Sequence, residues 1–237
     1  MRRDVLEAYP QVDPERVHVV HNGIDTDVYR PDPDVDALER LGVPLDRPYV
    51  LFVGRITRQK GLVHLLAAAR DFDPDTVLVL AASSPDTPEI GAETARLVET
   101  VRAERGESSV VWIQEQATLP DVRQLLTHAR VFACPSVYEP LGIVNLEAMA
   151  CETPSSRVPS AASPRSCGRC DRPARPYDGD DPGGFEMGLA AAINAVVADP
   201  ERATEMGRAG RARAIADFGW GAIAERTVEV YAEALRA

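Results

Sequence analysis

The period of apolar and polar positions changes repeatedly along this chain. RVHVVHNG (16–23) is an apolar run that closes on Asn22-Gly23, a turn signal, and it predicts a strand. Residues 26–48 are rich in Pro and Asp and read as loop, with a short helix near 34–41. YVLFVG (49–54) is continuously apolar and ends on Gly, as a strand buried on both faces should. KGLVHLLAAARDF (60–72) switches to helical spacing through Leu62, Leu65, Leu66 and Ala69. TVLVLAAS (76–83) predicts a second buried strand, residues 91–105 a charged amphipathic helix, and SVVWIQ (109–114) a third strand. LPDVRQLLTHAR (119–130) predicts a helix with Asp121 near its start, and VFACPS (131–136) a fourth strand. PLGIVNLEAMACE (140–152) predicts a helix, with Pro140 in the first turn, where proline is tolerated. Three helical segments, 183–200, 201–218 and 220–237, complete the pattern.

Strand and helix alternate at short spacing through residue 152, which predicts right-handed βαβ units, a parallel sheet and a doubly wound α/β domain. Such sheets bind ligands at the carboxyl ends of their strands. The loops that matter therefore follow Gly54, Ser83, Gln114 and Ser136.

Composition narrows the class without naming a function. The 237 residues suffice for one sizeable domain, or one domain with an appendage, and 45% apolar with 27% charged residues is ordinary globular usage. A net charge of -11 repels phosphate backbones and argues against a nucleic-acid partner. No apolar run approaches the roughly 20 residues that span a bilayer. Met-Arg-Arg is followed by DVLEAYPQVDPE rather than by an apolar segment, so no secretory signal is read there. Cys134 and Cys151 sit in apolar surroundings and read as buried thiols, and the expectation is a soluble, cytoplasmic protein. His18, His21, His64 and His128 have no neighbours at metal or triad spacing and are expected in core or surface roles.

Two loops could carry chemistry. GRITRQKG (54–61) holds Arg55, Arg58 and Lys60 just before a helix. Cations beside free backbone amides suit a phosphate or diphosphate; the alternative is solvated surface charge. In CPSVYEPLGIVNLEAM (134–149), Glu139 precedes the helix and Glu147 lies eight residues on. That separation is roughly 12 Å along a helix axis. Glu147 is flanked by Leu146, Ala148 and Met149, and a carboxylate there needs a partner or a ligand such as sugar hydroxyls. The alternative is a side chain at the solvent edge.

Three stretches, VHNGIDTDVYRPD (20–32), FVGRITRQKG (52–61) and VYEPLGIVNLEAMACETP (137–154), resemble the C-terminal half of retaining GT-B glycosyltransferases, specifically the glycogen synthase group in its actinobacterial form. The likeness covers roughly 1–154 and 177–237. It implies a Rossmann-like domain in which Arg55 and Lys60 hold the donor diphosphate in the loop opened by Gly54. Glu139 would face the donor glucosyl unit, Glu147 would bind the ribose hydroxyls, and the backbone N–H groups of Leu141 and Gly142 would touch phosphate or sugar. The implied donor is ADP-glucose or UDP-glucose. The implied acceptor is an α-glucan, or glucose 1-phosphate as in maltosyl-transferring relatives, and the linkage is α-1,4 with the anomer retained. No cofactor and no metal are expected.

The same resemblance divides the chain into a remnant of an N-terminal domain and hinge (1–25), a nucleotide-sugar-binding domain (26–218) and a C-terminal crossover helix (219–237). It implies that an N-terminal domain is missing, that the crossover helix exposes apolar surface, and that this chain alone is an inactive donor-binding half. The alternatives are another retaining GT-B enzyme with a small-molecule acceptor, a nucleotide-sugar-binding module without catalysis, and a product without function.

Residues 155–170, SSRVPSAASPRSCGRC, break the pattern. Cys167-x-x-Cys170 lacks a second Cys or His pair for zinc and the strand-to-helix context of a redox motif. One codon choice for residues 155–168, read two bases on, translates as Val-Ala-Gly-Ala-Val-Gly-Gly-Ile-Pro-Glu-Val-Val-Arg, the strand and loop expected from the resemblance. A local frameshift, opening near Pro154 and restored before Tyr177, is the reading adopted for 155–175. It predicts a lost strand and low stability.

Overall fold

The computed structural model describes residues 2–137, 142–157 and 177–236. Its elements, in chain order, are α1 (Arg2–Ala8), α2 (Asp36–Arg40), β1 (Tyr49–Val53), α3 (Leu62–Ala69), β2 (Val77–Ala81), α4 (Pro88–Arg105) and β3 (Val110–Ile113). There follow α5 (Leu119–His128), β4 (Val131–Cys134), α6 (Ile143–Ala150), β5 (Ser155–Arg157), α7 (Pro182–Val197), α8 (Pro200–Phe218) and α9 (Trp220–Ala234). The strands form one parallel sheet in the order β3-β2-β1-β4-β5. This is the doubly wound α/β fold expected from the alternation.

Burial on both faces explains why the strands read as unbroken apolar runs. Val50, Phe52, Leu78, Leu80, Val131 and Ala133 face α3, α4 and α7, where Leu65, Leu66, Val98, Val101, Phe185 and Ile193 meet them. Tyr49, Leu51, Val77, Val79 and Phe132 face the other layer, against Leu38, Leu125, Leu126 and Ala148. The Tyr49 hydroxyl donates to the Leu125 carbonyl over 2.7 Å, so a phenol in the core keeps a partner.

α8 lies on α6, and two backbone features permit the close approach. Gly207 sits so near the Glu152 carbonyl that a Cβ there would fall 1.9 Å from the oxygen. Glu152 itself takes φ 62, a left-handed conformation that ends α6 in the manner more usual for Gly. Arg211 of α8 donates to the Ala150 carbonyl and caps the same helix end.

Three expectations change. Residues 16–23 form no strand; Ile24 makes an isolated parallel bridge to Gly219, and Val19 and Val20 are exposed. An apolar run becomes a strand only beside a partner edge, and this segment lies against the start of α9 instead. The fifth position of the sheet is not empty: Ser155–Arg157 fills it, pairing Phe132 with Ser155 and Cys134 with Arg157. Phe132 N–H also donates to the Pro154 carbonyl over 2.7 Å, so the register is set before the atypical stretch begins. The frameshift reading otherwise falls on residues 158–176, outside the described residues. The helix bounds shift by a few residues in either direction: α6 starts late, at Ile143, whereas α4, α7 and α8 start ahead of their sequence signals, at Pro88, Pro182 and Pro200.

α9 has no buried residue among those described; Trp220, Val228 and Tyr231 are exposed on it, as is Leu235 at its C-terminal end. No helix among the described residues is long and apolar enough to cross a membrane.

Candidate donor-binding site

The strand order places the site. β1, β2 and β3 run toward one edge, and β4 and β5 toward the other, so the crossovers diverge between β1 and β4. Open α/β sheets bind ligands at such a switch point, at the carboxyl ends of those two strands. The loops that leave them are 54–61 and 135–142, the two that the sequence singled out.

The structure ties these loops together. Val137 N–H donates to the Gln59 carbonyl over 2.9 Å. Gly61 takes φ +65, and a Cβ at that position would lie 2.2 Å from the Pro135 carbonyl oxygen. Only glycine suits both the conformation and the approach. The loop itself is an ordered turn: Lys60 N–H points at the Thr57 hydroxyl (3.1 Å) and carbonyl (3.2 Å), and Gly61 N–H donates to the Arg58 carbonyl (3.2 Å). α3 and α6 both begin at this end, after the left-handed glycines Gly61 and Gly142. Helix N-termini there bring backbone N–H groups and positive dipole ends to one crevice.

The predicted cations differ in their surroundings. Lys60 is half-buried within the turn. Arg55 is exposed, and its Nη2 is paired with Asp86 Oδ1 in the loop after β2. Arg58 pairs with Glu93 of α4 over 2.7 Å. Gly54 N–H donates to the Ala81 carbonyl over 3.2 Å, which holds the start of the loop to β2. Gly142 is buried, and its carbonyl accepts from Asn145 (2.9 Å) and Leu146 (3.3 Å). Glu139 and Leu141, two further candidates, lie outside the described residues.

Glu147 is half-buried on α6, so the solvent-edge alternative does not describe it. Burial pushes its carboxyl above the ordinary value, and a hydrogen bond from the Tyr29 phenol partly offsets that. Burial first, then the nearby Glu147 charge, also raises Tyr29 and pushes the Cys151 thiol up to about 12. A carboxylate offers about four lone-pair directions. One phenol therefore leaves acceptor capacity for a ligand's hydroxyls.

Sequence reasoning missed Tyr29, Asp86 and Glu93. Tyr29 lies in the quoted VHNGIDTDVYRPD stretch, and Asp86 in a loop flagged by its place after a strand, but spacing alone did not pair either with its partner. His64 Nδ1 lies 2.7 Å from Glu186 Oε1, with the Tyr177 and Phe185 rings around it, a partly buried structural role as expected. Asp25 and Asp27 form an Asp-x-Asp spacing, but Asp25 Oδ1 accepts from the N–H groups of Asp27 and Val28 at 3.0 Å each, which makes it a turn cap. No group of three or more His, Cys, Asp or Glu that could hold a metal ion occurs among the described residues.

The fold and crevice define a doubly wound α/β domain with cations and two helix starts at its switch point, an arrangement suited to a diphosphate. The family Glycosyl transferases group 1 matches residues 36–155, about half of the chain, and the chain belongs to that family. It is 51% identical over 236 residues to alpha-maltose-1-phosphate synthase of Mycolicibacterium smegmatis, covering 98% of this chain and 60% of that protein. It is 34% identical to D-inositol 3-phosphate glycosyltransferase of Thermobispora bispora, covering 98% of this chain and 54% of that one. Among solved structures, sucrose-phosphate synthase of Thermosynechococcus elongatus aligns with a TM-score of 0.77 at 28% identity, covering 99% of this chain and 57% of its own. The chain thus spans little more than half the length of these relatives.

Proposed function

We propose that this chain is the donor-binding part of a glucosyltransferase that acts on a small phosphorylated acceptor, and that the product is α-maltose 1-phosphate. The likeness to alpha-maltose-1-phosphate synthase over 98% of the chain carries this reading. That product is a glucosyl unit joined α-1,4 to glucose 1-phosphate, so its acceptor is glucose 1-phosphate and its donor an activated glucose. The glycosyltransferase named for D-inositol 3-phosphate has a phosphorylated acceptor by name as well. Both favour a small phosphorylated acceptor over the α-glucan of a glycogen synthase.

The donor is a nucleoside diphosphate glucose, ADP-glucose or UDP-glucose. Arg55 and Lys60 hold its diphosphate. As the bond from the anomeric carbon to the diphosphate oxygen breaks, the two cations stabilise the charge left on the nucleoside diphosphate, commonly a large part of catalysis. The acceptor hydroxyl forms the new bond on the same face and gives up its proton to the departing diphosphate. Glu147 accepts from the ribose hydroxyls, Glu139 faces the glucosyl unit, and the backbone at Leu141 and Gly142 meets the phosphate or sugar. The residues carry this chemistry with no metal or cofactor.

Calorimetric titration of the chain with ADP and with UDP tests the binding role. Binding of one of them, weakened at least about tenfold by Lys60→Ala, is expected for a cation that meets the diphosphate. Equal binding by the variant sinks the assignment. The acceptor is tested on a full-length protein that contains this chain, by nucleoside diphosphate release from ADP-glucose or UDP-glucose with glucose 1-phosphate or glycogen added. For this chain alone we expect binding without turnover. Release that depends on glycogen, and not on glucose 1-phosphate, would restore the glycogen synthase reading.

A further inference from the structure

Asp86 stands in the loop between β2 and α4; the sequence marked that loop by its place after a strand, but not this residue. The structure zips that loop to the one carrying Arg55. Ile56 N–H donates to the Ser84 carbonyl over 3.1 Å, Asp86 N–H donates back to the Ile56 carbonyl over 3.0 Å, and Ile56 and Pro85 form a parallel bridge. Gly54 N–H on the Ala81 carbonyl (3.2 Å) continues the β1–β2 ladder into this pair. Arg55 and Asp86 are therefore held on neighbouring backbones of fixed register, and their side chains meet through Nη2 and Oδ1. The next residue, Thr87, caps α4 through the Ile90 N–H, so the carboxylate stands on an anchored turn.

We propose that Asp86 is a positioning residue, one that aims the Arg55 guanidinium at the donor diphosphate. The inference rests on the diphosphate reading of Arg55 given above. An exposed pair of this kind contributes little to stability. Its value lies in direction: the Arg55 side chain is 70% exposed, and without a partner it would sample many rotamers. The Nη2 contact uses one of the five N–H donors; Nη2 belongs to both two-nitrogen edges of the guanidinium, Nε–Nη2 and Nη1–Nη2, so a single bond occupies one edge and leaves the other for a phosphate in bidentate fashion. Arg58, paired instead with Glu93 further along α4, is directed away from that role.

The test is a double-mutant cycle read by nucleotide binding, with ADP and UDP as diphosphate probes and AMP and UMP as controls lacking the second phosphate. Asp86→Ala should weaken binding of the preferred diphosphate about fivefold to tenfold and leave its monophosphate within about twofold, since the loss acts through Arg55. Asp86→Asn, which keeps an oxygen acceptor, should recover most of the affinity. Arg55→Ala should show the same loss, and adding Asp86→Ala to it should weaken binding no further. Asp86→Ser replaces the alanine variant if that one does not fold.

Tighter diphosphate binding by Asp86→Ala overturns the inference and makes the carboxylate a competitor of the phosphate. Equal losses on diphosphate and monophosphate, or losses that multiply in the double variant, overturn it as well. If Arg55→Ala weakens diphosphate binding and Asp86→Ala does not, the inference alone falls. If Arg55→Ala changes neither probe, or the unaltered chain binds neither diphosphate, the donor-site reading falls with it.

Discussion

Val137 donates its backbone N–H to the Gln59 carbonyl over 2.9 Å, and this bond joins the loop that carries Lys60 to the segment that leads into α6. The two are 78 residues apart in sequence (137 minus 59) and belong to different βαβ units. Through it, the end of β1 and the end of β4 form one crevice.

Gly61 is the tightest point of that junction. Gly61→Ala places a Cβ 2.2 Å from the Pro135 oxygen in a left-handed conformation. It should destabilise the chain by roughly 2–4 kcal/mol, from strain plus a backbone clash. Urea denaturation measures this, and nucleotide titration of the folded fraction should show weakened binding because Lys60 moves with its turn.

Glu147 gives a pH dependence. Its folded-state carboxyl is raised above the ordinary value of 4.5 by burial, so the folded state favours the protonated form. The contribution is fully present below the unfolded value and is lost as pH rises through the folded one. Ionised Glu147 thus weakens the fold at neutral pH. Glu147→Gln should be more stable than the parent at pH 7, with the difference vanishing near pH 4, while nucleotide binding weakens. Denaturation midpoints at the two pH values decide it; an unchanged difference would count against a buried carboxylate.

Glu152 and Gly207 meet where α6 ends on α8. Glu152→Gly relieves a left-handed non-glycine residue (φ 62) and should stabilise by about 1 kcal/mol, its contact with Arg211 at 3.9 Å being too long to offset that. Gly207→Ala should destabilise by roughly 2–4 kcal/mol, since the helices must separate to admit the methyl. Thermal unfolding of both variants tests the pair.

Arg58 serves as the control for the cations. It is exposed and bound to Glu93. Arg58→Ala should change stability by less than about 0.5 kcal/mol and nucleotide affinity by less than about twofold. A loss as large as that from Lys60→Ala would show a direct role for Arg58 on the donor.

The apolar face of α9 should self-associate. Replacing Val228, Tyr231 and Leu235, all exposed, by Ser should lower the sedimentation coefficient at high concentration without shifting the denaturation midpoint.

The strands β1 to β4 were legible because burial on both faces leaves a local mark, an unbroken run of Val, Leu, Ile and Phe ending in a turn residue. The helices were legible from their apolar period, and the two loops from cations before one helix start and carboxylates around another. The strand order was not legible, because nothing in YVLFV or VFAC says which strand it will lie beside. That order, β3-β2-β1-β4-β5, put the switch point at the two loops. RVHVVHNG shows the limit from the other side: its pattern is that of a strand, yet no sheet edge lies next to it. Ser155–Arg157 has no such pattern and is a strand, because β4 and the Pro154 carbonyl supply the ladder. Local sequence determines where the chain can be extended or helical and which residue types stand at the turns. The partners of Arg55, Arg58 and Glu147 were decided by tertiary structure alone, since Asp86, Glu93 and Tyr29 come from other elements and meet them only once the sheet is assembled.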